Sequence, residues 1–360
     1  MPSAMSVIDA RLLNDWQQRF PLCERPFAAL AESLKDNLAG APPELLHCDA
    51  TLVLQRLQAL HEAGSLSRIG GIWNPGAGGA ALLCAMAVPP QRLQAAAARV
   101  SAHPGVNHNY EREHAYNLWF VMTGVDAEAV ERGVQALEQQ SGLHVLRLPM
   151  QRAYRINLGF DLRSAGAVAH DAGEGRTRNV VRPVCAEDRG LAALLEQGLP
   201  LRERPYAVWA EALGWTEAQV LSRLQRWLDD GSLRRFGLIV RHHELGYRAN
   251  AMCVFDVADE LVDERAAALA RQPGVTLCYR RARGPGWPYN LYCMMHGRER
   301  EQVLQALGRA ISAAGLDARS AAVLFSRRRF KQCGASYFRA HDAAPRQDGL
   351  AAQEAPHVLA

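Results

Sequence analysis

The stretch GVTLCYRRARGPGWPYNLYCMMHG, residues 274–297, decides the fold. Two runs rich in β-formers, GVTLCYRR and YNLYCMMHG, flank a loop punctuated by glycine and proline, so the stretch reads as two strands joined by a turn. Ahead of it NAMCVFDV reads as a strand and LVDERAAALARQ as a helix. Behind it REREQVLQALGRAISAAG reads as a helix and ARSAAVLFSRRRFK as a strand. The order β-α-β-β-α-β is that of a ferredoxin-like unit, an antiparallel sheet with helices on one face. The other face needs a cover.

A second passage, GVNHNYEREHAYNLWFVMTG at 105–124, repeats the frame of the first, and further pairs follow in the same order along the chain. FPLCERPFAALAESL (20–34) answers LPLRERPYAVWAEAL (199–213), and GSLSRIGGIW (64–73) answers GSLRRFGLIV (231–240). The chain therefore carries one unit twice. Two sheets meeting face to face would cover each other and make the fused chain an internal pseudo-dimer.

Each ferredoxin-like module follows a pair of helices. In the second copy PYAVWAEALGW opens with proline in its first turn. Thr216 then caps EAQVLSRLQRWLDDG, which Gly231 stops, with Leu213, Val220, Leu224 and Leu228 sharing its inner face. Helix, tight turn, helix is the shape of a helix-turn-helix or winged-helix module, with SLRRFGLIV as the wing strand. The expected fold is thus α+β, a tandem duplication of winged helix-turn-helix plus βαββαβ module. Helix-turn-helix domains are expected at 10–65 and 189–232, ferredoxin-like domains at 66–162 and 233–340, a Gly- and Arg-rich linker at 163–188, and a disordered tail at 341–360.

The 360 residues are 49% hydrophobic, enough for large cores, and carry a net charge of only +4, too little to call for nucleic acid. No apolar run is long enough to span a bilayer and no export signal opens the chain, which places the protein in the cytoplasm. The eight cysteines are scattered without a C-x-x-C pair, arguing against zinc and against a disulfide framework. Arginine supplies 39 of the 41 basic residues, and its planar fork suits carboxylate and phosphate.

A winged helix-turn-helix followed by a ferredoxin-like module resembles the Lrp/AsnC regulators. The motifs HNYEREHAYNLWF (108–120), RRFGLIVRHHELGYRANAMCVFDV (234–257) and WPYNLYCMMHG (287–297) more closely resemble the siroheme decarboxylases, which share that architecture and occur as paired subunits. The resemblance extends from about residue 10 to 340. It implies loss of the acetate carboxyl groups at C12 and C18 of sirohaem, on the route to d1-type haem or haem b. It implies no oxidation, no added cofactor and no protein-held metal. Sirohaem is then the substrate and small-molecule partner, with further decarboxylase subunits or later haem-biosynthesis enzymes as protein partners.

On that reading the site residues can be expected. Loss of carbon dioxide leaves an electron pair on the methylene carbon, so a general acid is required, and His108 and His114 are the candidates, with Tyr110 beside them. A guanidinium on the departing carboxylate would stabilise the ground state, so the arginines should grip the carboxylates that stay. Arg112 and Arg235 lead that group, with Arg152 and Arg281; Tyr116, Trp119 and Trp287 are the expected walls. The second copy has Leu277 where the first has His108, but owns His242, His243 and Tyr247 in RHHELGY. A single principal site on the first unit is favoured over one built from both. Two other classes stay open: a DNA-binding regulator, although neither second helix opens with basic residues, and a non-catalytic haem-binding sensor.

Overall fold

The computed structural model describes residues 6–36, 47–74, 76–156, 181–240 and 249–338. The first unit runs α1 (Val7–Asp15), α2 (Pro26–Asp36), α3 (Ala50–Glu62), β1 (Leu66–Trp73), β2 (Ala80–Met86), α4 (Leu93–Ala102), β3 (Val106–Arg112), β4 (Leu118–Gly124), α5 (Ala127–Ser141), β5 (Leu146–Leu148) and β6 (Met150–Ile156). The second runs α6 (Arg189–Gln197), α7 (Pro205–Leu213), α8 (Glu217–Asp229), β7 (Leu233–Val240), β8 (Ala249–Phe255), α9 (Val262–Ala270), β9 (Val275–Arg281), β10 (Leu291–Gly297), α10 (Arg300–Ala313) and β11 (Ala321–Gln332). Most of the expected linker and the whole of the expected tail after 340 fall outside the described residues.

Local chemistry starts and stops these elements as expected. Thr216 and Gln219 form a reciprocal capping box on α8, whose buried face is Val220, Leu224 and Trp227. Asp49 and Asp126 cap α3 and α5. The wing is where expectation fails. Neither unit builds its own hairpin from β1 or β7; the two strands pair antiparallel with each other, Gly70 opposite Gly237 and Gly71 opposite Phe236. A side chain at Gly237 would come within 2.5 Å of the Trp16 and Gln17 carbonyls, so the crossing needs glycine. The helical domains accordingly share one core, with Leu12, Phe20, Phe27 and Leu57 from one copy and Leu195, Tyr206, Trp227 and Phe236 from the other.

The ferredoxin-like sheets do meet face to face. Ala85, Trp119, Leu146 and Leu148 of the first pack against Met252, Val254, Trp287, Tyr292 and Leu324 of the second. Each sheet covers its other face with its own helices. The last strands also cross over. The first half of β11 pairs with β8 of its own unit, and its second half pairs with β3 of the other. β5 pairs with β2 of its own unit while β6 pairs with β9 of the other. One nine-stranded order results, β5-β2-β4-β3-β11-β8-β10-β9-β6, in which neither half completes a sheet alone.

Candidate active site

Alternation along β3 sends His108, Tyr110 and Arg112 to the face that meets the opposite sheet, while Asn109 points the other way and donates to the Ala97 carbonyl of α4 at 3.0 Å. The three side chains form a ladder. The His108 and Tyr110 rings lie nearly parallel with centroids 6.3 Å apart, and the Arg112 guanidinium folds back over the Tyr110 ring at 5.5 Å. The Tyr110 hydroxyl donates to Gln332 Oε1 on β11 at 3.0 Å, and Arg329 donates to the same oxygen at 3.2 Å. Burial, and then the Arg112 charge, push His108 down to about 4, so its imidazole is neutral near pH 7. A general acid was expected there; burial and the neighbouring guanidinium disfavour its protonated form.

Arg112 is buried, and burial lowers it to about 10. Its Nη1 donates to the Leu324 carbonyl at 3.0 Å and to Asn250 Oδ1 at 3.3 Å, and its Nε is buried without a partner among the described residues. Among the described residues no carboxylate pairs with it. Because a guanidinium only donates, Asn250 must present its oxygen to Arg112 and its amide N–H to His296 Nε2, 3.0 Å away. His296 then carries its proton on Nδ1, facing Thr276 Oγ1 at 3.0 Å, whose own proton goes to the Met294 carbonyl. Asn250, His296 and Gln332 were not expected in the site. Residues 296 and 250 lie inside quoted motifs, but only the strand exchange brings Asn250 to Arg112 on β3, with His296 behind Asn250.

The second unit repeats the ladder without the histidine. Leu277, Tyr279 and Arg281 replace it; Arg281 stacks over Tyr279 at 5.4 Å and donates to the Leu148 carbonyl at 2.8 Å. Arg112 on Leu324 and Arg281 on Leu148 are thus the same kind of contact made twice, each arginine donating to a backbone carbonyl of the other unit. Arg112 was expected to grip a carboxylate; it also clamps the Leu324 carbonyl and Asn250.

The remaining candidates are dispersed. His114 lies in the turn beyond β3, largely exposed, its ring edge-on to Trp287 at 5.2 Å and parallel to Tyr116; burial lowers its pKa. Arg112 is already four residues, about 13 Å of strand, beyond His108, so the two histidines serve different ends of β3. Trp119 and Trp287, expected as walls, are 2% and 1% exposed and fill the core between the sheets, Trp287 Nε1 donating to the Tyr292 hydroxyl at 2.6 Å. Alternation on β4 leaves Trp119 no other place. Arg152 rides on β6 across to the second sheet and forms an exposed ion pair with Asp263, and Arg235 points into the helical core, donating to the Gln17 carbonyl at 3.0 Å. Neither reaches the ladder. His242, His243 and Tyr247 lie outside the described residues. Among the described residues no group of His, Cys, Asp and Glu converges as a metal site, and all eight cysteines are free thiols.

The chain matches the AsnC-like ligand binding domain over 77–155 and 244–331, and the siroheme decarboxylase NirDL-like HTH domain over 188–234. It is 40% identical over 336 residues to the siroheme decarboxylase NirDL subunit of Paracoccus pantotrophus, covering 92% of this chain and 97% of that one. The chain belongs to the siroheme decarboxylase family. The siroheme decarboxylase NirL subunit of Stutzerimonas stutzeri is 51% identical over 148 residues, 41% of this chain and 87% of that subunit, so one half of this family member corresponds to a separate subunit elsewhere. Crystal structures of the siroheme decarboxylase NirDL, one in co-complex with an iron-uroporphyrin III analogue, match at TM-scores of 0.65 and 0.63 and 27% identity. They cover 93% and 91% of this decarboxylase-family chain and 95% and 92% of theirs. No helix among the described residues is long and apolar enough to cross a membrane.

Proposed function

We propose that this siroheme decarboxylase family member removes the acetate carboxyl groups at C12 and C18 of sirohaem, giving 12,18-didecarboxysirohaem, with no cofactor beyond the substrate and in the cytoplasm. The observation that carries the reading is Arg112, a buried guanidinium held by a carbonyl, an amide and an aromatic face, with no acid to balance it among the described residues. A buried charge left without its counter-ion is costly, and a polycarboxylate substrate supplies one. Arg329 adds a second cation at the open edge of the ladder.

The chemistry then follows from charge. In each step the bond from the acetate methylene to its carboxyl carbon breaks, the electron pair stays on the methylene and the attached ring, carbon dioxide leaves, and one proton completes a methyl group. Nothing is oxidised or reduced. Burial and, less strongly, the Arg112 charge disfavour protonated His108; substrate carboxylates near Arg112 would offset the second of these and so favour the protonated acid. Tyr110 and the His108 ring offer the scissile acetate an aromatic surface, while Arg112 is left to hold a carboxylate that stays.

Purified protein incubated with sirohaem under anaerobic conditions is expected to yield a tetrapyrrole lighter by two molecules of carbon dioxide. Tight binding with unchanged mass would replace the enzyme by a sensor, and neither binding nor turnover would remove both.

A further inference from the structure

Arg112 belongs to the first unit, but the side chains that orient its amide partner belong to the second. Asn250 on β8 stands directly opposite His296 on β10. Asn250 Oδ1 accepts from Arg112 and from Ser326 Oγ, each at 3.3 Å, and its amide nitrogen lies 3.0 Å from His296 Nε2. His296 Nδ1 lies 3.0 Å from Thr276 Oγ1, which donates to the Met294 carbonyl at 3.0 Å. A bulge accounts for the place of Thr276. Met294 pairs with Leu277 and Met295 with Val275, so Thr276 is the extra residue of β9, and it is buried.

Each link fixes the next. Thr276 gives its proton to a carbonyl and so accepts from Nδ1–H of the imidazole. Nε2 is then the bare nitrogen and accepts from the Asn250 amide, which leaves the amide oxygen for Arg112. Ser326 does not set this direction, because a hydroxyl can meet either end of an amide. Without the histidine the amide is free to turn end for end and set an N–H against the guanidinium, where two donors meet. With Nη1 tied to Leu324 and Asn250, Arg112 Nε is left for a carboxylate oxygen; it is buried and has no partner among the described residues.

The chain of side chains stands on one ladder only. In the first unit Ala81 on β2 faces Thr123 on β4 at the register where Asn250 faces His296, and Asn107 takes the bulge where Thr276 does. Ala81 has no amide to offer, and Thr123 Oγ1 donates to the Gly105 carbonyl at 2.9 Å. The arginine that shares β3 with His108 is the one so held.

We propose that His296 is a positioning residue for carboxylate binding: through Asn250 it holds the Arg112 guanidinium toward a carboxylate that stays on the tetrapyrrole. The inference rests on the tetrapyrrole reading above and makes the site on the first unit depend on a histidine of the second.

Iron uroporphyrin III, an octacarboxylate, serves as probe in an absorbance titration of the full chain. H296L is expected to bind it roughly tenfold more weakly, the size of one hydrogen bond to a charged group, and H296Q, whose Oε1 can take the place of Nε2, to recover most of that loss. Because His296 acts through Asn250, H296L should weaken binding no further in the N250A background. A folded H296L that binds as wild type does overturns the proposal, and so does an H296Q no better than H296L. Losses that add in the double variant also overturn it, for they would put His296 on the ligand itself. A wild-type chain that does not take the probe removes the tetrapyrrole reading, and the positioning role with it. Should H296L fail to fold, nitrogen-15 spectra of wild-type protein labelled on histidine decide: the proton of His296 is expected on Nδ1, and an Nε2–H tautomer overturns the assignment.

Discussion

His108 is where residue type and surroundings disagree most, since histidine ordinarily titrates near neutrality and this one is held at about 4. The unfolded chain binds its proton near 6.5 and the folded chain does not until about 4, so stability is intact above 6.5 and is lost as pH falls through that window. His108→Leu should remove that slope, seen as a urea midpoint that gains on wild type as pH falls from 7 to 4.5; parallel profiles would mean the ring is not buried neutral. For catalysis, His108→Ala should lower turnover by roughly 10²–10⁴ while the tetrapyrrole still binds. Leu277→Met, at the matching position, should leave the rate within error because that side chain only packs. Circular dichroism must show both variants folded. The histidine, its tyrosine and its arginine were all legible in the quoted motif. What the motif hid is that Arg112 spends two hydrogen bonds on Leu324 and Asn250, because that depends on a strand more than 200 residues away, as the Leu324 contact shows.

At the scale of elements the duplication separates architecture from chemistry, because whatever both copies keep is needed by the fold. Asn117 exchanges two hydrogen bonds with the Val88 backbone, and Asn290 does the same with Val257. Arg112 and Arg281 each take a backbone carbonyl of the other unit. What only one copy keeps is free to serve substrate, and within the ladder on β3 that is His108, where β9 has Leu277. Asn290→Ala leaves the buried Val257 N–H and carbonyl without partners and should cost on the order of 1–3 kcal/mol. Urea denaturation would read the loss, and a cost below about 0.5 kcal/mol would show that water replaces the amide. The order β-α-β-β-α-β was legible because each element carries its own period and its own cap. The pairing of β1 with β7 was not. A strand's sequence states which face is apolar but not which neighbour it will find, and the glycines at 70, 71 and 237 signal a close approach without naming the partner.

The whole molecule is held by exchange. β11 finishes the first sheet and β6 finishes the second, Arg300 of the second unit pairs with Glu113 of the first at 2.8 Å, and the helical domains share one core. Sheets meeting face to face were expected from the need to cover an apolar surface. The crossings were beyond a reading by halves, since RRRFK and MQRAYRI look like the last strands of their own units. They make the halves interdependent in a way that contact between finished sheets would not. A chain cut between residues 163 and 178 should therefore elute as a one-to-one complex of two fragments. Separated in denaturant, each fragment alone should stay unfolded or aggregate, because it lacks a strand and exposes both Trp119 or Trp287 and a bare sheet edge. Mixed during refolding, the two should recover the native near-ultraviolet signal of these tryptophans together with any decarboxylation activity. Fragments that fold separately, each with a cooperative melt of its own, would mean that the exchanged strands are ornament on two independent domains; recovery only on mixing would mean that the fusion joins two subunits already built around each other.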